Sequence, residues 1–319
     1  MVKDKLIVVL GPTSVGKTKV SVDIAKKINS EIISTDSMQI YKKMDIGTAK
    51  ITDHEKEGIN HHMIDLINPD GNFTVYDYQN LSLKIIESML KDNKTPILVG
   101  GSGLYINSLL YDLDFNKVSS DEDIRNKYYN IKNQKGKSHL YDILKEKDPE
   151  AAEKIHPNNV KRVVRALEVI EITGEKYSKN SSFRKYSDKY DFIIIGLEMN
   201  RELLYNRINL RVDAMIEEGL IEEVKKLYSE GYDKSYQSMQ AIGYKEIIDY
   251  LEGNISKTEA VRLIKRNTRR FAKRQITWFK PDDRIEWFDM SDYKNNYNST
   301  LNKILLYINE RGVKIEAEH

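Results

Sequence analysis

Leu6-Ile7-Val8-Val9-Leu10-Gly11-Pro12-Thr13-Ser14-Val15-Gly16-Lys17-Thr18 decides how this chain folds. Leu6 to Leu10 is an unbroken apolar run, the pattern of a strand buried on both faces of a parallel sheet. Gly11 to Thr18 then matches G-x-x-x-x-G-K-[ST]. Such glycines let backbone amides turn inward around phosphate oxygens. The helix predicted from Lys17 to about Asn29 aims its positive end at the same anion. Lys17 adds a point charge, and the Thr18 hydroxyl is the magnesium ligand of such a loop. The plainer alternative is a glycine turn with no ligand. A strand before the motif and a helix after it are the context that phosphate binding requires.

Working outward, Glu31 to Thr35 reads as a second strand, ending at Asp36. Met63 to Leu66 is a weaker strand candidate, and Val75 to Lys91 is helical. Pro96 to Val99 is another buried strand, running into Gly100-Gly101-Ser102-Gly103. Phe192 to Leu197 and Ile285 to Phe288 complete the set. Strands alternating with helices predict an α/β fold, a parallel sheet flanked by helices around a P-loop. From about Asn116 to Tyr190 the pattern turns polar, charged and helical, with no convincing strand. The expected organisation is therefore residues 1–115 as the first part of the core, 116–190 as an inserted all-helical domain, and 191–319 as the second part of the core. Arg201 to Lys280 reads as helices broken near Gly219, Gly231 and Gly253.

Of 319 residues, 40% are hydrophobic, enough for a sizeable core, and 31% are charged. The formal net charge is only +2, so a nucleic-acid site must come from the distribution of charge rather than its sum. There are no cysteines, which excludes disulfides, thiolate metal sites and a cysteine nucleophile. No apolar run approaches the roughly 20 residues of a membrane span. The N-terminus lacks the apolar region of a signal peptide, so a cytoplasmic location is expected.

A phosphate loop does not say which phosphate it takes, and ATP or GTP is the default. Yet the strand ends after residues 66 and 99 offer no convincing segment with an adjacent catalytic carboxylate, which disfavours an NTPase motor.

Several motifs coincide beyond the loop: Asp36-Ser37-Met38-Gln39-Ile40-Tyr41, Met44-Asp45-Ile46-Gly47-Thr48-Ala49-Lys50, Gly100-Gly101-Ser102-Gly103-Leu104-Tyr105, Ile155-His156-Pro157-Asn158, Arg165-Ala166-Leu167-Glu168-Val169, Gln240-Ala241-Ile242-Gly243-Tyr244-Lys245 and Ala272-Lys273-Arg274-Gln275-Ile276-Thr277-Trp278. In this order, from residue 6 to about 288, the chain resembles the bacterial tRNA dimethylallyltransferases, also called tRNA isopentenyltransferases. Ser102 stands where that family usually has Thr, and Lys161-Arg162-Val163-Val164-Arg165 where its pattern often opens with Gln. Eukaryotic relatives can carry a C-terminal zinc finger, which a chain without cysteine cannot.

The resemblance implies transfer of a dimethylallyl group from dimethylallyl diphosphate to the exocyclic amine of the adenosine 3′ to the anticodon, in tRNAs reading codons that begin with U. The product would be isopentenyladenosine. A P-loop small-molecule or nucleotide kinase is the alternative, and an RNA-binding module without chemistry a third. Adenine's exocyclic nitrogen is a weak nucleophile, because its lone pair is shared with the ring, and it needs a base. Asp36 is the candidate, placed where an open α/β sheet puts its ligand crevice. The plainer reading is that Asp36 caps the next turn or braces the phosphate loop. Gly11, Pro12, Thr13, Ser14, Val15, Gly16, Lys17 and Thr18 would hold the diphosphate, with Mg2+ on Thr18 neutralising the leaving group. The resemblance assigns Arg211 to the diphosphate. The alternative is a solvent-facing arginine paired with Glu217 or Asp213.

Asp36, Ser37, Met38 and Gln39 would read the target base, flipped from its stack, with Gln39 bonding the adenine edge and Ser102 contacting nearby. Arg125, Lys161, Arg162, Arg165, Arg269 and Lys273 are the candidate contacts to a tRNA anticodon stem-loop. On the helix predicted from Thr258 to Trp278, Arg262, Lys265, Arg266, Arg269, Arg270, Lys273 and Arg274 fall on one half at about 100° per residue. Ala260, Val261, Ile264, Phe271, Ala272 and Trp278 fall on the other. Only Glu259 stands near the basic half, so a phosphate-facing stripe is favoured over plain solvation. His61 and His62 are adjacent and lack metal-ligand spacing, and His156 reads as a turn residue. No membrane partner is expected, and the protein is expected to be a monomer.

Overall fold

Strand β1 forms at Lys5–Leu10, where residues Leu6 to Leu10 are essentially without solvent exposure. The computed structural model describes residues 3–112, 121–181 and 185–316. The chain divides into two compact units, Met1–Leu110 with Asp188–His319, and Tyr111–Ser187. The junction expected at residues 115 and 116 lies outside the described residues.

In the larger unit, β1 is followed by α1 (Lys17–Lys27), β2 (Ile32–Ser34), α2 (Asp53–Lys56), β3 (His61–His62), α3 (Val75–Lys91), β4 (Ile97–Gly100) and α4 (Gly103–Leu110). The smaller unit supplies α5 (Glu122–Lys147), α6 (Pro149–Lys154), α7 (Val160–Thr173) and α8 (Tyr177–Ser181). The larger unit resumes with β5 (Asp191–Glu198), α9 (Arg201–Glu217), α10 (Leu220–Ser229), α11 (Tyr244–Leu251), α12 (Lys257–Phe279), β6 (Glu286–Asp289) and α13 (Tyr293–Glu310).

The six strands form one parallel sheet in the order β3-β2-β4-β1-β5-β6. The chain leaves β1 for β2 and β3, returns to insert β4 between β2 and β1, and finally lays β5 and β6 on the other side. Ile7 of β1 pairs with Ile97 of β4 and Ile193 of β5, so the central strands stack aliphatic side chains in register. With Val9, Ile24, Ile195 and Leu197 they form the main core, and each such side chain contributes about 1.5–3 kcal/mol of burial. All three of β1, β2 and β4 end at one edge of the sheet, where Gly11, Asp36 and Gly101 follow them.

The sheet agrees with the expected fold class, with one displaced element. Met63 to Leu66 is not a strand. Met63 (φ 65°) and Asp65 (φ 55°) take left-handed backbone, which no strand tolerates. The pairing to β2 is made instead by His61 and His62. Helix α3 begins at Val75 because Thr74 and Asp77 form a reciprocal capping box.

The smaller unit has its own core, including Tyr128, Leu140, Leu144, Val163 and Leu167. Asp148 caps α6 through the Ala151 N–H (3.1 Å) and also accepts the Ser178 N–H (2.8 Å), tying α6 to α8. His156 is a turn residue, its Nδ1 accepting the Asn158 N–H.

Candidate active site

A cavity of about 370 Å³ opens at the carboxyl edge of the sheet. The phosphate loop forms one wall through Thr13, Ser14, Gly16, Lys17 and Thr18, and Asp36 and Gln39 form another. Ile32, Ile51, Ile64 and Val99 give it an apolar side, and Arg207 and Arg211 reach in from α9. Three separate stretches of sequence thus bring their charges together here.

Lys17, Asp36 and Arg211 interact electrostatically. Burial lowers the Lys17 ammonium to about 7; the Asp36 carboxylate opposes that shift and Arg211 adds to it. Its Nζ donates to the carbonyls of Gly11 (3.0 Å) and Pro12 (2.8 Å). Burial raises the Asp36 carboxyl above its ordinary value, against the Met38 N–H and the charges of Lys17 and Arg211. Asp36 does cap its turn, accepting the Met38 N–H at 2.9 Å, while also facing the cavity. Arg211 is not paired with Asp213, whose carboxylate goes to Lys265. Its Nη1 lies 3.5 Å from Thr13 Oγ1, beside the phosphate loop.

The segment expected to read a base is already hydrogen-bonded within the protein. Gln39 Oε1 accepts from Ser34 Oγ (3.1 Å), and its Nε2 donates to the carbonyls of Thr48 (3.4 Å) and Ala49 (3.2 Å). Its amide therefore orients the cavity wall. Ser102 Oγ accepts the Ser37 N–H (3.2 Å) and donates to Ser37 Oγ, joining the turns that follow β4 and β2.

Gln275 of α12 is a site residue that sequence reasoning quoted but gave no role. It is only 6% exposed. Its Oε1 accepts the Thr13 N–H (2.8 Å) and its Nε2 donates to the Gly101 carbonyl (3.1 Å), so one amide clamps the phosphate loop to the glycine-rich turn. A Cβ at Gly101 would stand 2.0 Å from Gln275 Nε2, which is why that position is glycine. The signal was the coincidence of a late Gln-containing motif with two early loops, but nothing local links them.

His61, Glu55 and Arg207 were also missed as cavity residues. Burial holds the His61 imidazole below its ordinary value, and its Nδ1 donates to the Ile59 carbonyl (2.9 Å), which leaves Nε2 as an acceptor. His62 instead pairs with Glu31 at 2.6 Å. Among the described residues no group of three or more His, Cys, Asp or Glu could hold a metal ion. Glu55 closes the capping box of α2 with Thr52. The Arg207 guanidinium lies over the Tyr293 ring, 4.7 Å from its centre.

The basic half of α12 is less free than its sequence implies. Arg262 makes two bonds to Glu259 (both 2.6 Å), Lys265 pairs with Asp213 of α9, and Arg269 donates to Asn209 (2.6 Å). Arg270, Lys273 and Arg274 are exposed. Trp278, expected on the apolar half, is 44% exposed and lies against Gly103. Within the smaller unit, Arg125 and Arg165 both bond the fully buried Glu168, at 3.0 and 2.8 Å. Lys161 and Arg162 are exposed.

The family model of the IPP transferases matches residues 39–282, from the cavity wall through α12. The chain belongs to the IPP transferase family. Among similar proteins, the tRNA dimethylallyltransferase of Alkaliphilus oremlandii is 51% identical over 296 residues, covering 93% of this chain and 95% of its own. That of Clostridioides difficile is 48% identical over 310 residues, covering 97% and 99%. Among solved structures, a eukaryotic dimethylallyltransferase acting on tRNA superposes with a TM-score of 0.83 at 32% identity, covering 98% of this chain and 81% of that one. The full-length tRNA isopentenylpyrophosphate transferase of Bacillus halodurans gives 0.72 at 46% identity, covering 97% and 98%. The fold described above is thus that of the IPP transferases, and the protein is an enzyme of that class. No helix among the described residues is long and apolar enough to cross a membrane.

Proposed function

We propose that this protein transfers the dimethylallyl group of dimethylallyl diphosphate to the exocyclic nitrogen of the adenosine 3′ to a tRNA anticodon. One observation carries the reading. A single cavity holds two cations, Lys17 and Arg211, a carboxylate, Asp36, and an apolar side of Ile32, Ile51, Ile64 and Val99. The cations and loop amides suit a diphosphate, the apolar side suits a five-carbon chain, and the carboxylate suits an amine that must lose a proton. Relatives about half identical carry the transferase name, which sets the kinase alternative aside.

In the reaction the adenine nitrogen bonds to the allylic carbon as the carbon–oxygen bond breaks, and diphosphate leaves with the electron pair. Lys17, Arg211 and the loop amides stabilise the charge that develops on the departing oxygen. The amine proton passes to the Asp36 carboxylate. A carboxyl with a raised pKa is a better proton acceptor than an ordinary one while ionised, and the nearby Lys17 and Arg211 favour that ionised form. The Thr18 hydroxyl lines the same cavity and is the group that would hold magnesium carried in by phosphate oxygens. When bound there, Mg2+ supplies further neutralisation of the leaving group. The exposed Arg270, Lys273 and Arg274 of α12 supply cations for an anticodon stem-loop; on the smaller unit, Lys161 and Arg162 are exposed cations in their own right. A cytoplasmic monomer acting on tRNAs that read codons beginning with U completes the reading.

The test is mass spectrometry of tRNA after incubation with the purified protein, magnesium and dimethylallyl diphosphate. A mass gain on that adenosine is expected. An unmodified adenosine in a competent tRNA would overturn the proposal.

A further inference from the structure

Glu223 lies on α10 and does not line the cavity, yet it grips the backbone that does. Its Oε2 accepts the N–H groups of Asp45 (3.0 Å) and Ile46 (2.8 Å), and its Oε1 accepts the Gly47 N–H (3.1 Å) and the Tyr244 hydroxyl (2.6 Å). Three successive amides turned toward one anion form a nest, and here the protein supplies the anion itself. The fit is close. A Cβ on Gly47 would stand 2.4 Å from the Tyr244 ring.

The gripped segment runs directly into Thr48 and Ala49, which do line the cavity. Their carbonyls accept the Gln39 amide, whose Oε1 accepts from Ser34 Oγ, and Ser34 Oγ accepts the Asp36 N–H (3.3 Å). Hydrogen bonds and the short backbone stretch from Gly47 to Ala49 therefore lead from Glu223 to the backbone of Asp36. The phosphate loop is held by different contacts, its Thr13 N–H by Gln275.

We propose that Glu223 is a positioning residue for the transfer reaction. By clamping Asp45, Ile46 and Gly47 it fixes the acceptor side of the cavity and the placement of Asp36, without touching the diphosphate side. The inference rests on the transfer reading above. A carboxylate is required because four donors converge on two oxygens. Glutamine offers one acceptor oxygen and turns an NH2 group toward N–H or O–H donors.

The test pairs kinetics with amide exchange on the full chain. In the parent, the amides of Asp45, Ile46 and Gly47 should be protected from exchange. In Glu223→Gln that protection should fall selectively. Single-turnover transfer at saturating substrates should drop by about 10–100-fold, the usual consequence of reacting groups displaced by a fraction of an ångström to one ångström. The dissociation constant for inorganic diphosphate should stay within about twofold, because uniform donor binding is untouched. Tyr244→Phe keeps the ring against Gly47 and removes one of the four donors, so it should lie between parent and Glu223→Gln in both rate and protection. This variant keeps the test decisive if Glu223→Gln does not fold. A Glu223→Gln protein that transfers at the parental rate, or whose whole loss is in diphosphate affinity, would overturn the inference. So would a Tyr244→Phe protein unchanged in both measurements. A parent that transfers nothing would refute the reaction and the positioning role with it, and protected amides at Asp45, Ile46 and Gly47 would then mark a purely structural clamp.

Discussion

Raising the pH from about 6 to about 9 should titrate one group of the phosphate loop, Lys17, well before an ordinary lysine responds. Its ammonium is held at about 7 by burial. With that value, about one Lys17 in ten is charged at pH ~8 in the free protein, and about nine in ten at pH ~6. A bound diphosphate places negative charge beside Nζ and restores the charged form. Binding at pH ~8 should therefore take up close to one proton, and binding at pH ~6 only about a tenth of one. The sign follows directly. Below 7 the lysine is already charged, so affinity is flat with respect to this group. Above 7 the proton must be bought from solvent, so the apparent dissociation constant should rise about tenfold per pH unit, or about 1.4 kcal/mol. Inorganic diphosphate itself loses protons across this range, so the Lys17 contribution is the difference between the parent and Lys17→Arg at each pH. Calorimetry with inorganic diphosphate, in buffers of different ionisation enthalpy, counts the protons. Lys17→Arg keeps its charge throughout and should lack the Lys17 share of both the uptake and the slope. Equal proton uptake by the parent and Lys17→Arg at pH ~8 would refute the argument.

Asp36→Asn keeps the acceptor for the Met38 N–H but cannot take a proton, so single-turnover transfer should fall about 10²–10⁴-fold with both substrates still bound. In the parent, transfer should also decline as pH falls through the raised Asp36 value, and a pH–rate profile without that acidic limb would remove Asp36 as the base. Gln275→Ala leaves a Thr13 N–H and a Gly101 carbonyl without their partner, and denaturant unfolding should show a loss of about 2–4 kcal/mol; a change below about 0.5 kcal/mol would mean the clamp is dispensable. Neutralising Arg269 and Lys273 together should flatten the log–log salt dependence of tRNA binding by about 1.5, since the Asn209 bond to Arg269 leaves its charge intact. An unchanged slope would return that face of α12 to ordinary solvation.

Elements whose physics is local were legible. The phosphate-loop motif is eight contiguous residues between a strand and a helix, so its pattern could be read without any distant contact. The long helices were readable from periodicity, and the breaks near Gly219, Gly231 and Gly253 fall between observed helices. Strand β3 was misplaced because two residues carry no periodicity, and the left-handed turns at Met63 and Asp65 follow from packing rather than composition.

The sequence by itself determined the α/β class, the phosphate loop, and the candidate identities of Asp36 and Arg211. It could not determine which charges neutralise one another. The partnership of Lys265 with Asp213 and the shared hold of Arg125 and Arg165 on Glu168 needed the tertiary structure. Nor could it say that Gln39 spends its amide on Thr48 and Ala49, or that Gln275 and Glu223 reach back to hold loops 262 and 176 residues earlier in the chain. A hydrogen bond depends on positions within a few tenths of an ångström. Those positions are set by how the sheet and helices pack, which no local pattern of residues records.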